Sequence, residues 1–102
     1  MEVYIMSFIT CVEQEFEAMG AKIKVTIQAT SKDVCEEVRK TKGDVNAFVG
    51  LLKMHGGYDV KSEKPLEILS NDGKIRVVME PRNIVAQMFW KEVVKRVREA
   101  SK

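Results

Sequence analysis

The chain has 102 residues, 45% of them hydrophobic and 31% charged, and a formal net charge of +2. That length gives one domain, or two half-domains sharing a core, because independent cores are marginal much below about 60 residues. The composition is that of a soluble globular protein and excludes a disordered chain, while a charge so near zero is no argument for nucleic acid unless the basic residues cluster.

The run Val3 to Val12 is apolar, but Glu2 precedes it and no basic region does. It falls far short of the roughly 20 residues that cross a bilayer, so neither a signal peptide nor a membrane span is read and an intracellular protein is expected. Cys11 and Cys35 form no CxxC, and His55 is the only histidine, so no zinc site can be assembled. Free thiols are the expectation and one disulfide the alternative. No metal and no cofactor is expected.

Tyr4, Met6, Phe8, Thr10, Val12, Gln14 and Phe16 alternate as one face of a strand over about 3–17. A rival reading starts a helix at Thr10, where Glu13 completes a capping box and Val12, Phe16 and Met19 share a face. An internal repeat favours the strand. Sliding Glu15–Ser31 onto Glu67–Asn83 sets Glu15 on Glu67, Phe16 on Ile68, Lys22 on Lys74, Ile23 on Ile75, Lys24 on Arg76 and Val25 on Val77. The second copy carries the turn Ser70-Asn71-Asp72-Gly73, a hairpin signal. Two hairpins would place Glu15 across from Lys24 and Glu67 across from Arg76, each pair contributing about 0.2–1 kcal/mol. Return strands follow over about 22–29 and 74–80.

Each return strand hands over to a helix, with Ser31 and Asn83 as matching N-caps. The first helix, over about 31–54, sets Val34, Val38, Thr41, Val45, Phe48, Val49 and Leu52 on one face. Gly43 is its weak point, and the alternative is two helices with Gly43 closing the first and Asp44 capping the second. His55 to Asp59 reads as a turn into the second unit, where Pro65 keeps a strand over about 65–69 short or at an edge. The last helix, over about 82–101, buries Ala86, Trp90, Val93, Val97 and Ala100. Its flank carries Ile84, Val85, Met88 and Phe89 where the first copy has Lys32, Asp33, Glu36 and Glu37. The expected fold is therefore α+β: two pseudo-symmetric ββα repeats, 1–52 and 53–102, forming one antiparallel sheet, two helices and one shared core.

No P-loop, GxGxxG or HExxH is present, His55 has no nucleophile at a catalytic spacing, and Asp44, Asp59 and Asp72 sit at turns or caps, so an enzyme is not expected. The expected function is protein or peptide binding. Ile84, Val85, Met88, Phe89 and Met54 would line an apolar groove between the repeats, with a partner protein, a peptide or a second copy as occupant. The same flank could instead be inter-repeat core, and exposed hairpin edges could accept a partner strand. The alternative is nucleic-acid binding through Lys22, Lys24, Lys74 and Arg76 on one sheet face, with Lys91, Lys95, Arg96 and Arg98 adding charge on the last helix. Glu15, Glu67 and Glu80 on that face oppose it, and aromatic residues for stacking are missing there. No membrane partner is expected.

Two resemblances complete the reading. The run from Arg39 to Leu52 resembles the second and third helices of ubiquitin-associated domains, without the first helix and behind a strand. In its Lys/Glu/Ile/Val/Met-rich character, including the runs Lys22–Gln28 and Lys74–Glu80, the chain resembles small orphan proteins of viruses infecting hyperthermophilic archaea. That resemblance implies an intracellular setting, the host cytoplasm, and leaves function open.

Overall fold

The computed structural model describes residues 7–101. Its order is β1 (Ile9–Ala18), β2 (Ala21–Ala29), α1 (Lys32–Lys40), α2 (Val45–Met54), β3 (Tyr58–Glu63), β4 (Leu66–Ser70), β5 (Ile75–Pro81), α3 (Ile84–Met88) and α4 (Trp90–Ala100). The fold is α+β. Among the described residues, five antiparallel strands form one sheet in the order β1-β2-β5-β4-β3, with β1 and β3 at its edges.

The strand reading of Ile9–Ala18 prevails over the helical one because the chain reverses tightly behind it. Met19 (φ 52) and Gly20 (φ 82) are both left-handed between the paired residues Ala18 and Ala21, the two-residue turn whose twist suits a hairpin. Glu15 lies opposite Lys24 and Phe16 opposite Ile23, as the repeat implies. The expected strand starts later, at Ile9; its positions 3–6 lie outside the described residues.

The second hairpin departs from the first. Arg76 lies opposite Leu69 and Glu67 opposite Val78, so the expected direct pairing of Glu67 with Arg76 is wrong. The longer turn around Asn71-Asp72-Gly73 sets this register: the Ser70 hydroxyl accepts from the Ile75 amide and Asp72 accepts from the Lys74 amide. Arg76 still reaches Glu67 diagonally, at 2.9 Å.

Three further expectations are corrected. The helix over 31–54 is two helices, because Lys42 (φ 50) and Gly43 (φ 78) turn left-handed after α1 and the Asp44 carboxylate accepts from the Asn46 and Ala47 amides to start α2. The alternative with Gly43 and Asp44 as cap residues is the one observed. The helix over 82–101 breaks at Phe89 into α3 and α4. The turn expected over His55 to Asp59 ends early, at Gly57, in β3, a fifth strand whose Tyr58 and Val60 face the core beside Ser70 and Ile68.

The thiols are not free: Cys11 and Cys35 form a disulfide, with 5.2 Å between their Cα atoms. Simple alternation would set Cys11 and Val12 on opposite faces. A bulge between Thr10 and Val12 adds Cys11 as an extra residue and turns it inward, where it meets α1.

The core is one cluster built from both halves of the chain, with Leu66, Ile75, Val77, Val38 and Cys35 at its centre. Over β3 and β4 it is closed by α4. Trp90 and Val94 are buried, the Trp90 indole donates to the Glu63 carbonyl, and the Tyr58 hydroxyl donates to the Val97 carbonyl. Burial pushes the Tyr58 phenol above its ordinary range. Val45 and Ala100, expected in the buried stripes, are exposed because each helix breaks out of the assumed phase.

Candidate functional site: an apolar cleft beside the first hairpin

Where α4 seals one half of the sheet face, the α1–α2 connection leaves the other half open. A cleft of about 540 Å³ results. Its floor is the core-facing alternation of three strands: Val12, Gln14 and Phe16 of β1, Ile23, Val25 and Ile27 of β2, Val77 and Met79 of β5. The register explains the grouping, since Phe16 lies beside Ile23, Gln14 beside Val25, and Val25 beside Met79. Its wall is Val38 and Arg39 of α1, the connection from Thr41 to Asp44, and Val45 and Phe48 of α2.

The cleft follows from local chemistry. Continued past Thr41, α1 would have carried Val45 and Phe48 down onto β1 and β2. Instead the left-handed pair Lys42-Gly43 redirects the chain, and α2 buries Leu51 and Leu52 while Val45 stays 73% exposed. Ile23, Val25 and Ile27 are consequently only half-buried, and Phe16 is exposed. Apolar surface left in water forgoes about 25 cal/mol per Å², and a contiguous patch of it with a polar rim marks an interaction site.

The polar groups of the wall are partly committed. Arg39 Nε donates to the Cys11 carbonyl at 3.3 Å, the Thr41 hydroxyl donates to the Val38 carbonyl at 2.6 Å, and Asp44 is occupied in capping. Chemically, this lining buries apolar groups. The disulfide pins the start of β1 to α1, and so fixes the cleft between Val12 and Val38.

The predicted groove residues lie elsewhere. Ile84 (75% exposed) and Met88 (73%) stand open on α3 and Phe89 (59%) stands open at its C-cap, so they are not inter-repeat core. Val85 is half-buried, and Met54 is exposed at the end of α2. None of the five lines the cleft. Of the basic residues, Lys24 pairs with Glu13 at 2.9 Å and lies opposite Glu80, and Arg76 pairs with Glu67. Arg76 also donates to the Gln28 side chain and stacks 5.8 Å from the Phe8 ring centroid. Lys22, within β2, and Lys74, just before β5, lie at opposite ends of the β2–β5 ladder, so these four residues form no continuous basic strip.

The cleft residues are readable in sequence only as core. His55, read as a turn residue, closes α2 and also holds two carboxylates: Asp72 Oδ2 at 2.6 Å from Nδ1 and Glu37 Oε2 at 3.1 Å from Nε2. Burial disfavours its charged form, but the hydrogen bonds and charges of Asp72 and Glu37 outweigh that and lift it above its ordinary value. Burial likewise opposes ionisation of Asp72, and its bonds from Ser70, His55 and the Lys74 amide prevail to hold it below the usual carboxylate value. The cluster joins α1, the end of α2 and the β4–β5 turn.

Among the described residues no group of His, Cys, Asp and Glu could hold a metal ion, and no helix is long and apolar enough to cross a membrane. Compared with known proteins, the chain matches no family model, no curated protein and no solved structure.

Proposed function

We propose that this chain is a non-catalytic binding module for a protein or peptide, and that its site is the apolar cleft between the β1–β2–β5 floor and the α1–α2 connection. One observation carries it: about 540 Å³ of open space against aliphatic and aromatic side chains, on a sheet face that α4 closes elsewhere. Pockets of a few hundred Å³ with mostly apolar walls are where ligands and anchor side chains bind. The two-ββα reading lends support. Thr26 lies opposite Val78, the residue the internal alignment sets it on, as a two-fold relation between the hairpins requires. The cleft would then run beside the junction of the two units, mostly on the first.

Selection of binders from a random peptide library on the intact protein tests this. Binders should lose about tenfold or more in affinity on Val45→Asp or Phe48→Ala, and keep it on Met88→Asp. Dependence on Met88 and Phe89 instead would move the site to α3. The nucleic-acid alternative is less well supported, because Lys24 and Arg76 are ion-paired; duplex DNA binding that falls steeply with salt and disappears with Lys24→Glu and Arg76→Glu would restore it.

A further inference from the structure

We infer that β1 is a docking edge for an extended segment of a partner protein. The segment would lie along Glu13–Glu17 as a sixth strand, its alternate apolar side chains entering the cleft and its alternate basic side chains facing the carboxylates of Glu13, Glu15 and Glu17. The inference rests on the cleft being the binding site and names the chemistry of its occupant.

Three observations converge on that strand. Among the described residues no strand pairs with the outer side of β1, which at ten residues is the longest of the sheet. Its unpaired backbone groups are a template for another strand. Its two faces differ in chemistry: Val12, Gln14 and Phe16 belong to the cleft floor, while Glu13, Glu15 and Glu17 point the other way and are all exposed. Any strand added there continues both the apolar floor and the charged face. Lastly, β2 already shows the pattern that fits β1 from the other side, with Ile23, Val25 and Ile27 on the floor and Lys22 and Lys24 opposite Glu17 and Glu15.

Charge disfavours a second copy along Glu13–Glu17. Antiparallel self-pairing centred on Gln14 would set Glu13 of one copy against Glu15 of the other. Centring on Glu15 sets that residue against itself and Glu13 against Glu17. Like charges directly opposite destabilise a pair, so the acidic stripe that repels a copy selects a basic strand. Among the described residues only Glu13 of the three has a close cation, Lys24. A shallow depression of about 300 Å³ lies beside these residues, lined by Glu13, Gln14, Glu15, Lys24 and Arg82, so its carboxylates already share it with two cations.

The test uses synthetic peptides with blocked ends that alternate Val and Lys, set against a Val/Glu alternation and a scrambled Val/Lys order. Affinity is read by fluorescence anisotropy, and amide hydrogen exchange is followed along the chain. The Val/Lys peptide should bind about tenfold tighter than the Val/Glu peptide, the order should reverse in the Glu15→Lys/Glu17→Lys protein, and the amides of Glu13–Glu17 should exchange more slowly in the complex. That double variant leaves the Glu13–Lys24 pair intact but sets like charges opposite Lys24 and Lys22, so a somewhat lower unfolding midpoint is expected, and a single cooperative transition would show that the fold is kept. Equal affinity for both alternations, equal binding of the scrambled peptide, or a complex with unchanged β1 exchange would each overturn the inference. So would a concentration-dependent dimer that peptide disperses, since the occupant would then be a second copy. Library-selected peptides that bind and are lost on Phe48→Ala without protecting β1 would leave the cleft reading standing and remove only the strand. Val/Lys binding that Phe48→Ala leaves untouched would remove both.

Discussion

The two edges of the single sheet are finished in different ways. At β3 the strand is six residues long, bulged between Val60 and Ser62, and bolted to α4 by the Trp90 indole on the Glu63 carbonyl, the Tyr58 hydroxyl on the Val97 carbonyl and Arg98 on the Glu63 carboxylate. At β1 the strand is ten residues long, and its bulge, the disulfide to α1 and the bond from Arg39 to the Cys11 carbonyl all sit near its start. Edges are normally blunted because they template further pairing. Shortness and three side-chain bonds to or from α4 do this at β3. A row of carboxylates does it at β1, which discourages some partners and leaves the edge open to others. The difference separates an edge held down by its bonds to α4 from one left open, where the proposed contact would form.

If that contrast is right, the closed edge should be costly to damage. Trp90→Ala removes a buried side chain and leaves the Glu63 carbonyl without its donor, and should destabilise by about 3–5 kcal/mol in denaturant unfolding. A loss below about 1 kcal/mol would mean that α4 is not what closes the second half. Second in size is the covalent tie at the open edge. Cys11 and Cys35 are separated by 24 positions, and for a loop of that length the disulfide should contribute about 3 kcal/mol. The Cys11→Ala/Cys35→Ala protein should also show faster amide exchange in β1 than in β3, because only β1 loses its anchor.

The same contrast marks what the sequence could disclose. Both hairpins, the return strands and the N-caps Ser31 and Asn83 were legible, since each depends on alternation or on one residue's hydrogen-bonding reach; both cap side chains accept as expected, from Val34 and Ala86. β3 was not, because Tyr58-Asp59-Val60-Lys61-Ser62-Glu63 offers two apolar residues behind a glycine pair, and its pairing with β4 supplies the rest. The break at Phe89 has no breaker residue to announce it. The disulfide hides behind a bulge that reverses the facing of Cys11. As for the cleft, alternation identifies Val25 and Ile27 as inward-facing but carries no information on whether a helix arrives to cover them. That was decided by two left-handed residues, Lys42 and Gly43.

A third prediction concerns the clasp that joins the open half to the closed one. His55 sits above its ordinary 6.5 in the fold, so the stability it contributes is complete below that pH and fades as the pH rises through its folded value. Asp72 sits below its ordinary 3.8, so its contribution is complete above that pH and fades as the pH falls through its folded value. Both are present together between those limits. Urea midpoints should therefore form a plateau across mildly acidic pH and decline on either side. His55→Ala should flatten the decline on the alkaline side and spare much of the acid one, because Asp72 keeps its bonds from Ser70 and the Lys74 amide. An alkaline decline unchanged in that variant would assign the pH dependence to other groups.

The smallest effect on stability is expected at the exposed apolar residues, where it separates two surfaces that composition alone makes look alike. Val45 and Met88 are each 73% exposed, so Val45→Asp and Met88→Asp remove little buried area and should each shift stability by no more than about 0.5 kcal/mol. Their positions differ: Val45 stands at the wall of the cleft beside β1, and Met88 stands on α3, outside it. A carboxylate at Val45 would place negative charge and a hydration shell where an incoming apolar side chain must be desolvated, whereas at Met88 it meets only solvent. With matched stability, any difference in peptide affinity between the two variants reports the site and not the fold. Affinity lost at Val45 and kept at Met88 assigns binding to the open edge. The reverse would make the α3 flank the contact surface and reduce the cleft to incomplete packing.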